Sequence, residues 1–242
     1  MSSTTPGPAN FALTHWSVVL ATGSRDSSHA RKALDQLCHT YWHPIYSYIR
    51  RQGHSPHDAQ DLTQEFFARL LEKEQFSAVD PAKGRFRSFL LASLKHFLAN
   101  EWDKAKAQKR GGGQPLISID EQSAEDSYAV EPVENLTPDK IFDRRWALTL
   151  LQRVLDRLRS EYERDDKGEL IEALKGTLTG DRQSVGYAEI AARLKSSEGA
   201  IKVAVYRLRQ RYRDLLREEI AHTVASPQEI EDEIRALFAV LE

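Results

Sequence analysis

The run "SPHDAQDLTQEFFARLLEKE", Ser55 to Glu74, carries five acidic side chains and two adjacent phenylalanines. On a helix, Asp58, Asp61, Glu65 and Glu72 fall on one stripe, and Ala59, Leu62, Phe66, Phe67, Leu70 and Leu71 fall on another. The apolar stripe is expected in a core and the acidic stripe on a surface. Such a stripe is a solvated face, a set of metal ligands, or a docking face for a basic partner. Helical di-metal sites need a Glu-x-x-His motif on each of two facing helices, and no such pair of motifs is present. An enzyme built on Asp58, Asp61 and Glu65 would also need a nucleophile with its base. None is found, so neither catalytic residue nor cofactor nor metal is expected.

The other residues with reactive chemistry are few. Cys38 is the only cysteine, which excludes an intrachain disulfide and a cysteine-based zinc cluster. With His39 and His43 nearby, a metal site or a Cys–His nucleophile comes into view, but its apolar helical neighbours favour simple packing. His54 and His57 flank a Ser-Pro turn and are read the same way.

Basic chemistry is concentrated in two places, although the formal net charge is only −2. Lys83, Arg85, Arg87, Lys95, Lys104, Lys106, Lys109 and Arg110 stand against Glu101 and Asp103. Arg193 to Arg217 repeats that imbalance. Two basic segments in an otherwise acidic chain suit a protein that meets phosphate at two sites. The second contains "YAEIAARLKSSEGAIKVAVYRLRQRYR". Here Ala188, Ile190, Ala191 and Leu194 make a short helix, Lys195 and Ser196 a turn, and Ser197 the cap of a second helix packed through Ile201, Val205 and Leu208. This is the pattern of a helix-turn-helix, whose second helix enters a major groove. Ser197, Glu198, Ala200, Lys202, Val203 and Tyr206 are placed to reach bases, and Arg207, Arg209, Arg211 and Arg213 to meet phosphates. A basic helical hairpin also occurs as plain structure.

The elements that position these groups are all helical. A short helix is expected over Thr14 to Leu20 and a longer one from Ser28 to Gln52, bent or split by Pro44. The acidic helix starts with Ser55 as N-cap and Pro56 at its first position, a cap worth about 1 kcal/mol. A fourth helix, from Arg85 to Lys109, buries Phe86, Phe89, Leu90, Leu94, Phe97 and Leu98 and stops at a Gly triplet. The stretch from Gly111 to Thr137, rich in Pro, Ser, Asp and Glu, reads as an extended acidic linker. Beyond it, Thr137-Pro138 repeats the cap signature for a helix to about Tyr162. Shorter helices follow over Glu169 to Leu178 and Tyr187 to Leu194, then a long one over Glu198 to Thr223. A last amphipathic helix carries Ile230, Ile234, Leu237, Phe238 and Leu241 on one face.

No alternating strand pattern occurs, so the fold class is all-α. The expected division is an N-terminal extension (1–27), a helical domain (28–110), the linker (111–137), a helix-turn-helix domain (138–224) and a C-terminal helical extension (225–242). No run approaches the roughly 18 apolar residues of a membrane span, and the N-terminus lacks the pattern of a secretory leader, so a cytoplasmic location is expected.

"DAQDLTQEFFARLLE" resembles the polymerase-docking helix in region two of extracytoplasmic-function (ECF) sigma factors of the sigma-70 family. "GRFRSFLLASLKHFLANEWDKAKAQKR" resembles the remainder of that region, and "YAEIAARLKSSEGAIKVAVYRLRQRYR" resembles region four. The three come in the family's order, with its acidic linker between them. The resemblance implies core RNA polymerase and promoter DNA as partners, and control by an anti-sigma factor or a Ser/Thr kinase. It implies polymerase contacts at Asp58, Asp61, Gln64 and Glu65. It also implies minus-ten and melting contacts at Lys83, Arg85, Lys95, Asn100, Trp102 and Lys104. Minus-thirty-five contacts are implied at Ser197, Glu198, Lys202, Tyr206, Arg207 and Arg209. Three features depart from the family. Gln60 stands where an acid is usual, Lys195 where the turn usually has Gly, and Val203-Ala204 replaces a more polar pair. The missing acid makes Thr63 a candidate phosphorylation site that would restore charge to the docking face. The C-terminal extension has no counterpart in a minimal member, and is expected to pack on region four or to bind another protein.

Overall fold

The computed structural model describes residues 28–72, 85–107, 136–178 and 186–242. Among these the fold is all α-helical, with eight α-helices: α1 (Ser28–Arg51), α2 (Pro56–Glu72), α3 (Phe86–Ala107), α4 (Pro138–Arg164), α5 (Gly168–Leu174), α6 (Tyr187–Arg193), α7 (Glu198–Ala221) and α8 (Ile230–Ala239). The helix expected over Thr14 to Leu20, Lys83 and nearly all of the linker lie outside the described residues. So does the side chain of Lys104.

Two compact units emerge. Among the described residues, the first comprises those up to Ala147 together with Ile220–Glu242, and the second those within Leu148–Glu219. This differs from the division expected from sequence, because the boundaries fall inside α4 and α7. The first turns of α4 and the whole C-terminal extension belong with α1 to α3. The extension is bonded within its own unit to the start of α4, where Arg144 Nη1 donates to the Leu241 carbonyl.

In the first unit α1 continues through Pro44 as one helix, with Trp42, Ile45, Tyr46 and Ile49 all buried around it. A proline deletes one amide donor, and burial on both sides of the residue outweighs that loss. Helix α2 starts as its sequence predicts. The Asp58 N–H donates to Ser55 Oγ at 3.1 Å, and Ser55 Oγ–H donates to the Asp58 carboxylate at 2.7 Å. Its phenylalanines enter the core. Phe67 stacks on Trp42 with ring centres 6.0 Å apart, and Phe66 meets Phe97 edge to face at 5.5 Å. Phe86, Leu90 and Leu94 of α3 and Ile141, Phe142 and Trp146 of α4 are fully buried in the same unit. The α8 face is rotated from the one read in sequence. Its centre is Glu233 and Leu237, both wholly buried, while Phe238 is exposed.

His43 leaves a pH signature in this unit. Its Nδ1 is buried without a hydrogen-bond partner. Burial, then the charge of Arg145, holds its pKa below the ordinary imidazole value. The unfolded chain then takes up the proton first as pH falls, so this contribution is complete above about pH 6.5 and is lost as pH falls through the folded pKa. The urea midpoint is expected to drop between pH 7.5 and pH 5.5, and His43→Gln should flatten the drop. An equal drop in the variant would assign the effect elsewhere.

The second unit holds the helix-turn-helix. Helix α6 ends in a Schellman turn, with Ser196 N–H on Ala191 O at 2.9 Å and Lys195 N–H on Ala192 O at 3.3 Å. Lys195 is left-handed there, at φ 51°, which is the physical reason that glycine suits the position. Lys195→Val is expected to cost about 1–2 kcal/mol, because a branched Cβ is strained in that region. Lys195→Gly should be neutral or stabilising, and thermal melts of the two variants separate these outcomes. Helix α7 starts on Ser197, whose Oγ accepts from the Ala200 N–H at 3.1 Å. Ile201, Val205 and Leu208 are buried as the pattern predicts. Arg211 clamps Glu161 of α4 through Nε and Nη2, each at 2.7 Å, and that clamp holds the Glu161 carboxyl below its usual pKa.

Candidate functional site

Because the phenylalanines of α2 point into the core, its acids must point out. Asp58 and Asp61 are exposed, and Glu65 is half-buried. With Tyr48, Gln52 and His54 they form one side of an open cleft of about 810 Å³, and Lys95, Leu98, Ala99, Glu101 and Trp102 of α3 form the other. Asp61 lies 3.2 Å from His57 Nδ1. Glu65 is engaged by Arg69, which also reaches Glu101 at 2.6 Å and lies over the Phe97 ring. The α2 face is therefore not uniformly available. Asp58 and Asp61 are exposed with partners within one turn of their own helix, Ser55 and His57, whereas Glu65 belongs to a surface network with Arg69 and Glu101. Gln64 is half-buried beside Glu65, and Gln60 does not line the cleft.

Thr63 departs from its sequence assignment. Its side chain is 0% exposed, and its hydroxyl donates to the Ala59 carbonyl at 2.6 Å. The folded helix offers a kinase no access to it, so the expected surface acceptor is corrected. The spacing Ala59, Thr63, Phe66, Leu70 had carried that information, since it follows one face of a helix.

Along α3 the cationic and aromatic residues separate into two settings. Near its middle, Lys95 is exposed and donates to Asp139 at 2.6 Å, a bond that raises its pKa above the ordinary lysine value. Asn100 is exposed nearby, and Trp102 is 63% exposed. A large aromatic ring presented to solvent beside a lysine is chemistry suited to stacking on an unpaired base. The N-terminal end is different. Arg85 Nε lies 2.8 Å from Glu233 Oε2, an ion pair not aligned as a hydrogen bond. Arg87 Nε donates to Glu233 Oε1 at 2.8 Å, while the guanidinium pairs with Asp143 and covers the Trp146 ring at 4.7 Å. Although burial opposes its charge, Glu233 and Asp143 hold Arg87 more firmly protonated than an ordinary arginine. The cluster of Arg87, Asp143 and Glu233 was not singled out from sequence. One signal was available: Glu233 interrupts the apolar series Ile230, Ile234, Leu237.

On α7, Ser197, Glu198, Lys202, Val203 and Tyr206 are exposed, Tyr206 by 66%. Lys202 pairs with Glu198 at 2.7 Å one turn away. Arg207 is exposed and lines a small hollow of about 390 Å³ with Val203, Lys167 and Tyr162. Arg209 is otherwise employed: its Nη2 donates to the Thr177 carbonyl at 2.9 Å, closing the end of the short 3₁₀ turn after α5. Arg211 is likewise taken up by Glu161 and Glu218. Of the four arginines aligned with phosphates by sequence, Arg209 and Arg211 already have structural tasks.

Residues 37–108, which span most of α1, all of α2 and all of α3, match the profile of Sigma-70 region 2. The acidic helix and the aromatic α3 thus fall inside a recognised region of that family. The chain is also 25% identical over 197 residues to the ECF RNA polymerase sigma factor SigE of Mycolicibacterium smegmatis, an alignment that covers 81% of this chain and 66% of that protein. With the ordered motifs, these matches give the chain a Sigma-70 region 2 over residues 37–108 and a similarity over most of its length to an ECF sigma factor. It spans just under two thirds of that relative's length. No solved structure matches it at a significant level. Among the described residues, no helix is long and apolar enough to cross a membrane.

Proposed function

We propose that this chain binds core RNA polymerase and directs it to promoters, with no catalysis of its own. The observation that carries this reading is the first-unit cleft, where the outward carboxylates Asp58 and Asp61 face a wall bearing Lys95 and exposed Trp102. Acids held rigidly on a packed helix suit a basic protein surface, because their geometry is set before the partner arrives. The aromatic and basic wall suits a promoter strand opened near position minus ten. In the second unit the start of α7 presents Glu198, Lys202 and Tyr206 to the minus-thirty-five duplex, and Arg207 to its backbone. Such work takes place where polymerase is, in the cytoplasm.

The test is retention of purified core polymerase by the tagged chain, followed by run-off transcription of genomic fragments. Core binding together with new, discrete start sites supports the reading. A chain that binds duplex DNA alone, ignores core and adds no start sites is a helix-turn-helix regulator instead.

A further inference from the structure

The C-terminal extension places a carboxylate where two arginines converge. Glu233 is wholly buried, with Oε1 on Arg87 and Oε2 on Arg85, each at 2.8 Å. Two more contacts fasten the same segment. The Phe86 N–H, at the first residue of α3, donates to the Thr223 carbonyl at 3.3 Å, and Arg144 Nη1 donates to the Leu241 carbonyl at 3.4 Å. Leu237, one turn beyond Glu233, supplies the apolar anchor.

A segment that needed only to adhere would be served better by an apolar residue at 233, since a buried carboxylate is costly unless its charge is met. Two guanidiniums aimed at one carboxylate form a receptor for an anionic oxygen group. Glu233 fills that receptor from within the chain. Once it leaves, Arg87 keeps Asp143 as partner, while Arg85 loses the carboxylate that faces it. The opened site therefore favours a second anion at Arg85.

We infer that residues 223–242 are an intramolecular plug over an anion site formed by Arg85 and Arg87, and that the competing occupant is a backbone phosphate of promoter DNA. This rests on the proposed assignment of the α3 segment to DNA. Glu233 and the phosphate exclude one another, so nucleic-acid binding and tail docking oppose each other.

Hydrogen exchange of the full chain tests this directly. Amides of 223–242 should exchange faster when the chain is saturated at low salt with a labelled single-stranded oligonucleotide. Slower or unchanged exchange there overturns the plug, and this arm requires no variant. Glu233→Gln, and independently Leu237→Ala, should loosen the tail and tighten oligonucleotide binding by roughly three- to tenfold. Either should also steepen the slope of log K against log salt by about 0.7, the value for one added phosphate on a single strand. Adding Arg85→Ala to Glu233→Gln should take both gains away. A loosened tail with an unchanged salt slope, or a gain that survives Arg85→Ala, refutes the site. Core binding is scored separately. Its absence defeats the sigma-factor reading, whereas the plug is decided by the oligonucleotide and exchange results alone.

Discussion

Replacing Arg87 with alanine is expected to destabilise the first unit by about 3–5 kcal/mol, the range for breaking a buried ion pair by removing one partner. The guanidinium meets Glu233, Asp143 and the face of Trp146 together. Without it, Glu233 stays wholly buried with only the poorly aligned Nε of Arg85, and Asp143 loses its cation. At about 2–4 °C per kcal/mol for a chain of this size, the melting temperature should fall by on the order of 10 °C. Urea unfolding followed by fluorescence reads the loss, since Trp42 and Trp146 are both buried in this unit. Arg87→Lys should fall between wild type and alanine, because an ammonium keeps the charge but lacks the fork that serves two carboxylates. Arg87→Met combined with Glu233→Leu should recover most of the loss, as both charges leave the interior together. A loss below about 1 kcal/mol for Arg87→Ala would show that water readily replaces this network.

Reversing Asp58 and Asp61 together to lysine is expected to weaken core polymerase binding about a hundredfold, or about 2.7 kcal/mol, while the lost Ser55–Asp58 cap bond lowers the melting temperature by only a few degrees. Both carboxylates are exposed and their partners Ser55 and His57 lie within one turn of them, so their loss costs the fold about 1 kcal/mol at most. In the complex each would meet a basic partner, and a lysine there replaces attraction with repulsion. Glu65→Ala should have the smaller effect, because Arg69 already engages that carboxylate. Titration of a labelled chain with core polymerase at two salt concentrations checks both expectations, and wild-type affinity should be the more salt-sensitive. Equal affinities for the double variant and the wild type would return the acidic stripe to a solvated face.

The helices themselves were readable because their signals are local. Ser55 and Thr137 each stand before a proline, and both side chains accept a first-turn N–H: Asp58 N–H at 3.1 Å and Lys140 N–H at 3.3 Å. The separation of acids from phenylalanines on α2 follows from 3.6 residues per turn and needs no knowledge of the neighbours. The left-handed backbone at Lys195 was not read from the sequence, where only the family's usual Gly marked the position; the φ of 51° was seen in the structure.

What the sequence determined by itself was the set of helices, their caps, the outward acidic face and the helix-turn-helix, since each depends on residues within a few turns of one another. Tertiary structure alone decided which cations remain available. Lys95, Arg85, Arg87, Arg209 and Arg211 look alike along the chain, yet their partners lie 44, 148, 146, 32 and 50 residues away, at Asp139, Glu233 for both Arg85 and Arg87, Thr177 and Glu161. Charge pairing acts through space, and periodicity carries no information about it. The same limit hid the destination of the C-terminal helix. Its amphipathic face announced that it must pack, but only the meeting of Glu233 with two arginines determined where.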